Sequence, residues 1–190
     1  MHRLSASFVL GYHGCDHGVA ENLLFGTPFT PSNNAYDWLG GGIYFWEANP
    51  QRGLDFVTEM MKLDARKITR PAVVGAVIDL GNCLDLMTSV GIGIVAESYE
   101  SLSQITRAAG KAMPVNQDRL RRQLDCAVIE HVHAIMKVSD SIDTVRGVFV
   151  EGKPIYPGSG FDAKTHIQIA VRHPACIKGV FRVPAAHLAM

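Results

Sequence analysis

Hydrophobic residues recur along this chain with the spacing of strands in some segments and of helices in others. Runs of apolar, β-branched residues predict six β-strands. These are Phe8–Tyr12, Ile43–Trp46, Val73–Leu80, Arg146–Val150, His166–Arg172 and Cys176–Val183. Because three residues, 173–175, separate the last two strands, we expect those strands to be antiparallel neighbours.

Two longer segments carry apolar residues at helical spacing. Asn49 before Pro50 is a typical N-cap followed by proline at the first helical position, so a helix is predicted from there to about Arg66. Asn116 is predicted to cap a second helix with a buried stripe at Leu120, Leu124, Ala127, Val128, Val132 and Ile135. Shorter helices are predicted at about 17–25 and 97–110. The run of consecutive strands at the end favours a single α+β domain over a doubly wound parallel sheet.

Composition narrows the class of protein. The chain has 190 residues, with 18 Lys+Arg against 18 Asp+Glu. A net charge of zero disfavours a globally basic nucleic-acid binder, although it leaves room for a local basic patch. No run of about 18 apolar residues exists and the N-terminus lacks the features of a signal peptide, so a cytoplasmic protein without a membrane segment is expected.

Cysteine and histidine spacing gives no sign of a disulfide framework or a metal centre. The four cysteines, at 15, 83, 126 and 176, are far apart and form no CxxC pair. We therefore expect reduced thiols in a reducing compartment. His131 and His133 are two residues apart on a predicted helix and so diverge, and no metal site is predicted.

The densest chemical signals lie at 11–15 (GYHGC) and 40–45 (GGGIYF). The first segment places His13 and Gly14 near the end of a strand, where a ligand can approach the backbone and an amide can pair with it. Read alone, His13 is better explained as a turn histidine after a strand. The three glycines of the second segment match neither a dinucleotide-binding GxGxxG loop nor a P-loop.

Taken together, a strand ending in YHG and a later G-x-GIYF strand followed by a helix resemble the ADP-ribosyltransferase fold, in its poly-ADP-ribose-polymerase (diphtheria-toxin-like) branch. The resemblance implies a split antiparallel β-sheet core with flanking helices, here with a helical insertion at about 85–140. It implies NAD as substrate, with His13 on the NAD ribose and Gly14 on the nicotinamide carboxamide. Tyr44 would stack on the nicotinamide ring, with Gly42 in the same NAD-binding segment.

The sequence departs from that family at three positions. Aligning residues 165–171 with the strand that bears the family's catalytic glutamate places Gln168 there. The lysine common in polymerising members is Gly41, and the second stacking tyrosine is Asp55. An amide can hydrogen-bond a ribose hydroxyl but cannot accept a proton, so chain elongation is disfavoured. His13, Tyr44 and Gln168 remain the expected catalytic set.

A carboxylate elsewhere could activate an acceptor in place of the missing glutamate. Glu47, Asp125 and Glu151 are the candidates, and each is also explained as a solvated or paired carboxylate. The basic cluster Arg119, Arg121 and Arg122 is either a solvated face or a phosphate-contacting edge. In the resembled family, the loop at 154–161 contacts the acceptor.

These features predict an NAD-dependent mono-ADP-ribosyltransferase that cleaves the nicotinamide–ribose bond and modifies a protein, RNA or DNA. The resemblance further suggests a toxin of a toxin–antitoxin or phage-defence system, with an antitoxin protein as a partner. Two alternatives stay open. One is an NAD glycohydrolase, and the other is a catalytically inactive module that binds NAD or ADP-ribose.

Overall fold

A single seven-stranded sheet organises the chain in the computed structural model, which describes residues 8–118, 120–136 and 141–188. The strands are β1 (Phe8–Asp16), β2 (Ile43–Glu47), β3 (Pro71–Asp79), β4 (Cys83–Asp85), β5 (Thr144–Phe149), β6 (His166–Val171) and β7 (Ile177–Arg182). Their order is β4-β5-β6-β2-β1-β3-β7. All neighbours pair antiparallel except β4 and β5, which are parallel. The sheet is therefore open and mixed, and the expectation of a wholly antiparallel sheet is wrong at this edge.

The helices of the described residues are α1 (His17–Leu24), α2 (Pro50–Leu63), α3 (Ser89–Ala108) and α4 (Gln123–Met136). The cap predicted at Asn49 is confirmed, since its side chain accepts a hydrogen bond from Arg52 N at 2.9 Å. Both α3 and α4 fall within the stretch 85–140 that was expected to be a helical insertion. Among the described helices, none combines the length and the apolar character that crossing a membrane would require.

The predicted pairing of the last two strands is wrong. β6 lies between β5 and β2, whereas β7 pairs with β3 at the far edge of the sheet. The segment between them forms a short 3-10 turn at Pro174–Cys176 instead of a hairpin. On β3, Gly75 makes room for Phe181 of β7, because a Cβ there would lie 2.3 Å from the Phe181 ring.

Helices α3 and α4 begin away from their predicted positions. α3 starts at Ser89, capped by Thr88, and two glycines in its first turns hid it from the sequence pattern. α4 starts at Gln123, and Leu120 is exposed. Asn116 nevertheless caps α4 from outside, because its side-chain oxygen accepts hydrogen bonds from the backbone N–H groups of Leu124 and Asp125. The short strand β4 was not predicted.

Helices cover both faces of the sheet unequally. One face, which we call the α1 face, carries His13 and Phe45 and packs against α1. The other, the α2 face, carries Tyr12, Trp46 and Gln168, because cross-strand partners share a face. On this second face α2 covers β1 and β3, while α3 and α4 cover β4 and β5. The side chains of β2 and β6 form the strip between the two groups of helices.

Candidate functional site

The three strands that carry the sequence motifs are consecutive in the sheet, in the order β6-β2-β1. Two of them, β1 and β2, lie in the first fifty residues, whereas β6 begins at His166, more than a hundred residues later. Their register places Trp46 opposite both Tyr12 and Gln168, and Tyr44 opposite Ala170. The motif residues are therefore gathered into one region by the fold.

β1 and β2 pair over two residues only, and His13 marks where they separate. The last ladder pair is Tyr12 with Trp46. In this register His13 would lie opposite Phe45, and the next hydrogen-bonded pair would join Gly14 to Tyr44. Instead, the His13 side chain donates from Nδ1 to the Tyr44 carbonyl oxygen at 2.9 Å.

The peptide groups of Gly14 face this separation. Leu10 accepts a hydrogen bond from Ala48 N, just beyond β2, so Leu10 directs its peptide groups toward β2. Alternate residues of a strand use the same edge, hence Gly14 does so as well. Along β1 and β2, both described throughout, the ladder stops before Gly14. Its N–H and C=O therefore point toward β2 without a partner in the β1–β2 ladder, and an amide ligand could pair with them there.

The absent side chain of Gly14 has a second, structural reason. A Cβ at this residue would lie 2.3 Å from the backbone oxygen of Gly53 in α2. Gly53 is itself close to Trp46 and Val73, at 3.3 Å from its would-be Cβ. The two glycines thus let α2 lie directly on β1, and this contact brings the first turn of α2 to the gap.

His13 lies on the α1 face and so on the opposite side of the sheet from Tyr44 and Gln168. Its ring packs against Phe29 and Phe45, with centroid distances of 5.3 Å and 5.7 Å. Burial lowers the pKa of His13, and the hydrogen bond to the Tyr44 carbonyl opposes this only in part. The imidazole is therefore neutral near pH 7. Its hydrogen bond to the Tyr44 carbonyl bridges β1 and β2 where their ladder has ended.

Tyr44 is anchored through its hydroxyl group. The hydroxyl donates to Gly40 O at 2.7 Å and accepts from Leu39 N at 3.0 Å. Burial raises the pKa of Tyr44 well above its ordinary value, so the phenol stays protonated. Gly42 exchanges two backbone hydrogen bonds with Ser32, which occupies both of its peptide groups. A ligand at Gly42 would therefore meet its Cα surface and not its N–H.

Gln168 is oriented by a tryptophan that sequence reasoning did not single out. Trp38 donates from Nε1 to the Gln168 Oε1 at 2.7 Å. This bond assigns the oxygen of the amide and leaves its NH₂ group to face a ligand. The NH₂ group can donate to a ribose hydroxyl oxygen, but it offers no basic atom.

A cluster of buried polar side chains lies next to Gln168 on the α2 face. Arg52 and His166 are 6% and 5% exposed, and Trp46 is 4% exposed. Arg52 donates from Nη2 to Glu151 at 2.7 Å, but its Nε and Nη1 have no partner among the described residues. The same holds for Trp46 Nε1 and His166 Nε2. Buried polar groups in proteins are nearly always paired, so these donors and this acceptor point to a bound molecule.

Aromatic rings run through this cluster in a continuous row. Trp38 contacts Phe149, Phe149 contacts His166, and His166 contacts Trp46, with centroid distances of 5.0, 5.5 and 6.2 Å. The pKa of His166 is lowered, mainly by burial, so its unpartnered Nε2 is an acceptor near pH 7. The Lys164 carbonyl holds Nδ1 at 2.6 Å and fixes this tautomer.

The three candidate carboxylates have different partners. Glu47 is held by both Nε and Nη2 of Arg146, which also bonds Asp85. Asp125 is held by Arg122 and by Asn116. Both are thus explained by structural pairing. Of the three, Glu151 alone pairs with a member of the cluster beside Gln168.

The basic cluster is largely neutralised. Arg121 pairs with Asp118 at 2.8 Å and Arg122 with Asp125 at 2.6 Å. Arg119 lies outside the described residues. A cavity of about 600 Å³ opens nearby between α3 and α4, and Trp38 forms part of its wall. Its size is that of a pocket for a small organic ligand, and its lining is mainly apolar.

Comparisons with known proteins found nothing similar to this chain. No protein-family model matches the sequence, and neither a curated protein nor a solved structure matches the chain.

Proposed function

We propose that this protein has the ADP-ribosyltransferase fold and acts as an NAD-dependent mono-ADP-ribosyltransferase. The observation that carries the proposal is the separation of β1 from β2 at His13. It leaves the N–H and C=O of Gly14 facing a gap beside Tyr44, and a carboxamide needs one acceptor and one donor. The nicotinamide carboxamide of NAD would pair there.

The remaining parts of NAD have candidate partners on the α2 face. Tyr44, held by Leu39 and Gly40, would support the nicotinamide ring. The NH₂ group of Gln168 would donate to the nicotinamide ribose. The apolar cavity that begins at Trp38 has room for the adenosine. Holding the ring while positive charge develops on the ribose is the main task, because nicotinamide leaves as a neutral group.

Glu151 and His166 are the groups best suited to receive the proton of an acceptor. His166 offers a neutral Nε2, and Glu151, two residues after β5, lies beside Arg52. The charge balance around Arg121 and Arg122 removes one reason to expect a nucleic-acid acceptor. We therefore propose a protein as the acceptor, and a role as a toxin or phage-defence effector follows from the family resemblance alone.

A second candidate is an NAD- or ADP-ribose-binding module without turnover. The observation that favours it is the Trp38–Gln168 hydrogen bond, since a fixed amide cannot serve as a base. An NAD glycohydrolase lies between the two, with water as acceptor. Release of nicotinamide separates the binding module from both enzymes.

The test is to incubate the purified protein with NAD labelled in the adenylate, with and without a cell lysate. A transferase releases nicotinamide and places the label on macromolecules, which protease or nuclease treatment then identifies. A glycohydrolase releases nicotinamide but leaves the label as free ADP-ribose. Gln168→Ala is the inactive comparison, and His131→Ala on α4 is the matched control. NAD binding without nicotinamide release, or no binding by calorimetry, would overturn the proposal.

A further inference from the structure

Three side chains that can bind a metal converge at the end of the sheet, where β5 begins and β6 ends. A nitrogen of His173, the Sγ of Cys176 and a carboxylate oxygen of Asp143 lie within 4.8 Å of one another. We propose that Asp143, His173 and Cys176 form a Zn²⁺ site. This site is independent of the proposed NAD chemistry.

The backbone holds the three ligands in a fixed arrangement. The carbonyl oxygen of Asp143 accepts hydrogen bonds from the N–H groups of Arg172 and His173, at 2.9 and 3.2 Å. Cys176 N donates to His173 O at 2.9 Å, which closes the turn that carries two of the ligands. Zinc binding would bring the three ligand atoms to separations of about 3.5 Å, as tetrahedral coordination requires.

The carboxylate of Asp143 has its own supporting contacts. The backbone N–H of Asn82 donates to its Oδ2 at 2.9 Å. Gly81 has a φ of 56°, and a Cβ there would lie 2.4 Å from the same oxygen. The loop between β3 and β4 thus fixes the position of Oδ2 and leaves Oδ1 available to bind a metal. Contacts of this kind orient metal ligands.

The other two ligand atoms are available. Within the part of the chain that is described, neither the His173 ring nor the Cys176 Sγ takes part in a hydrogen bond. His173 is exposed and Cys176 is 6% exposed, so one ligand is buried while another faces solvent.

The ligand types select the metal. One thiolate, one imidazole and one carboxylate suit Zn²⁺. They do not suit Mg²⁺ or Ca²⁺, which prefer oxygen ligands. A fourth ligand would be solvent on the side of the exposed His173. Such an ion would join the start of β5 to the connection between β6 and β7 and would keep one coordination position open to solvent.

The test uses metal-free protein, one equivalent of ZnCl₂, gel filtration and elemental analysis. Wild type and Cys126→Ser, which removes another buried thiol, are expected to retain about one zinc per chain. Cys176→Ser and His173→Ala should each lose at least about ten-fold in zinc affinity. Because His173 is exposed, its variant is expected to fold normally.

Co²⁺ provides the second readout. Cobalt bound at this site should give a thiolate-to-metal charge-transfer band in wild type and Cys126→Ser, and no such band in Cys176→Ser. Failure of the wild-type protein to retain zinc would overturn the proposal. Zinc retention by the His173→Ala and Cys176→Ser variants equal to that of wild type would overturn it as well.

Discussion

The imidazole of His13 donates to the backbone carbonyl of Tyr44 at 2.9 Å, at the point where β1 would otherwise pair with β2 through Gly14. A side chain thus replaces a backbone donor in the ladder. The sheet loses one pair and gains an edge at which an N–H and a C=O are open to a ligand. This exchange connects the YHG motif to the GIYF motif in physical terms.

Removing the His13 ring should close the gap. In His13→Ala, we expect Gly14 N–H to pair with Tyr44 O, so its amide hydrogen exchange should slow relative to wild type. If NAD uses this edge, its affinity should fall at least about ten-fold by calorimetry, which corresponds to about 1.4 kcal/mol. His131→Ala, which removes an imidazole that contacts Ser101, is the control. Unchanged exchange at Gly14 together with unchanged NAD affinity would contradict the role assigned to His13.

Gln168→Glu is expected to raise NAD glycohydrolysis. The substituted side chain is nearly the same size, and the Trp38 Nε1 that bonds Oε1 at 2.7 Å can bond a carboxylate equally well. The added negative charge would stabilise the positive charge that develops on the ribose. We expect at least about a ten-fold rise in nicotinamide release, because a positioned carboxylate contributes on the order of 10²-fold or more. Nicotinamide release by Gln168→Glu at or below the wild-type rate would contradict the placement of residue 168 beside the ribose.

Two substitutions at Tyr44 separate its structural role from ring stacking. Tyr44→Phe keeps the ring but leaves Leu39 N–H and Gly40 O without their partner. The free energy of unfolding should fall by about 1–3 kcal/mol, since Leu39 is fully buried. Once folded, Tyr44→Phe should bind NAD nearly as well as wild type, whereas Tyr44→Ala should not. Equal NAD affinity for both variants, measured by calorimetry, would argue against stacking.

Sequence reasoning found the motif strands because each is a short apolar run with a clear start and end. It could not assign β7 to β3, because the space that Gly75 leaves for Phe181 depends on residues about a hundred positions apart. The beginning of α3 was missed because Gly91 and Gly93 weaken the helical pattern locally.

The sequence predicted only some of the residues of the candidate site, for a similar reason. His13, Gly14 and Tyr44 belong to recognisable motifs, whereas Arg52, Trp38 and Trp46 occupy ordinary positions in the chain. Arg52 looks like a solvated residue in the first turn of a helix until Glu151 is brought beside it. Partners this far apart in sequence leave no periodic signal. The one sign that could have indicated these site residues is a polar side chain buried on an otherwise apolar face. Burial of this kind is known only once the fold is known.

Two ion pairs join α2 to the segment between β5 and β6, namely Arg52–Glu151 and Glu59–Lys164. We expect the first to contribute far more to the free energy of unfolding than the second. The two side chains of the first pair are 6% and 16% exposed, against 40% and 39% for Lys164 and Glu59. Arg52→Met leaves a largely buried carboxylate unpaired, so the free energy of unfolding should fall by about 3–5 kcal/mol. Adding Glu151→Gln should restore much of this loss. Lys164→Met should cost less than about 1 kcal/mol. Urea denaturation measures all four proteins, and similar losses at Arg52 and Lys164 would refute the difference.

His133 should make the folded state lose stability as the pH falls. Burial and the neighbouring Arg172 lower the pKa of His133 to about 4, while Glu130 opposes the shift. Its Nε2 has no hydrogen-bond partner among the described residues. Since an unfolded histidine titrates near about 6.5, the unfolded chain binds one more proton between about pH 6.5 and 4. This contribution to stability is complete above about pH 6.5 and is lost as the pH falls toward about 4.

His133→Asn removes that proton and tests its origin. The free energy of unfolding of the variant should depend less steeply on pH than that of wild type between about pH 6.5 and 4, with the slopes equal above that range. His13 and His166, whose pKa values are also lowered, add slopes of the same sign to both proteins. The difference between wild type and variant therefore isolates His133. Parallel curves from urea titrations across this range would mean that His133 is protonated in the folded protein as readily as in the unfolded chain.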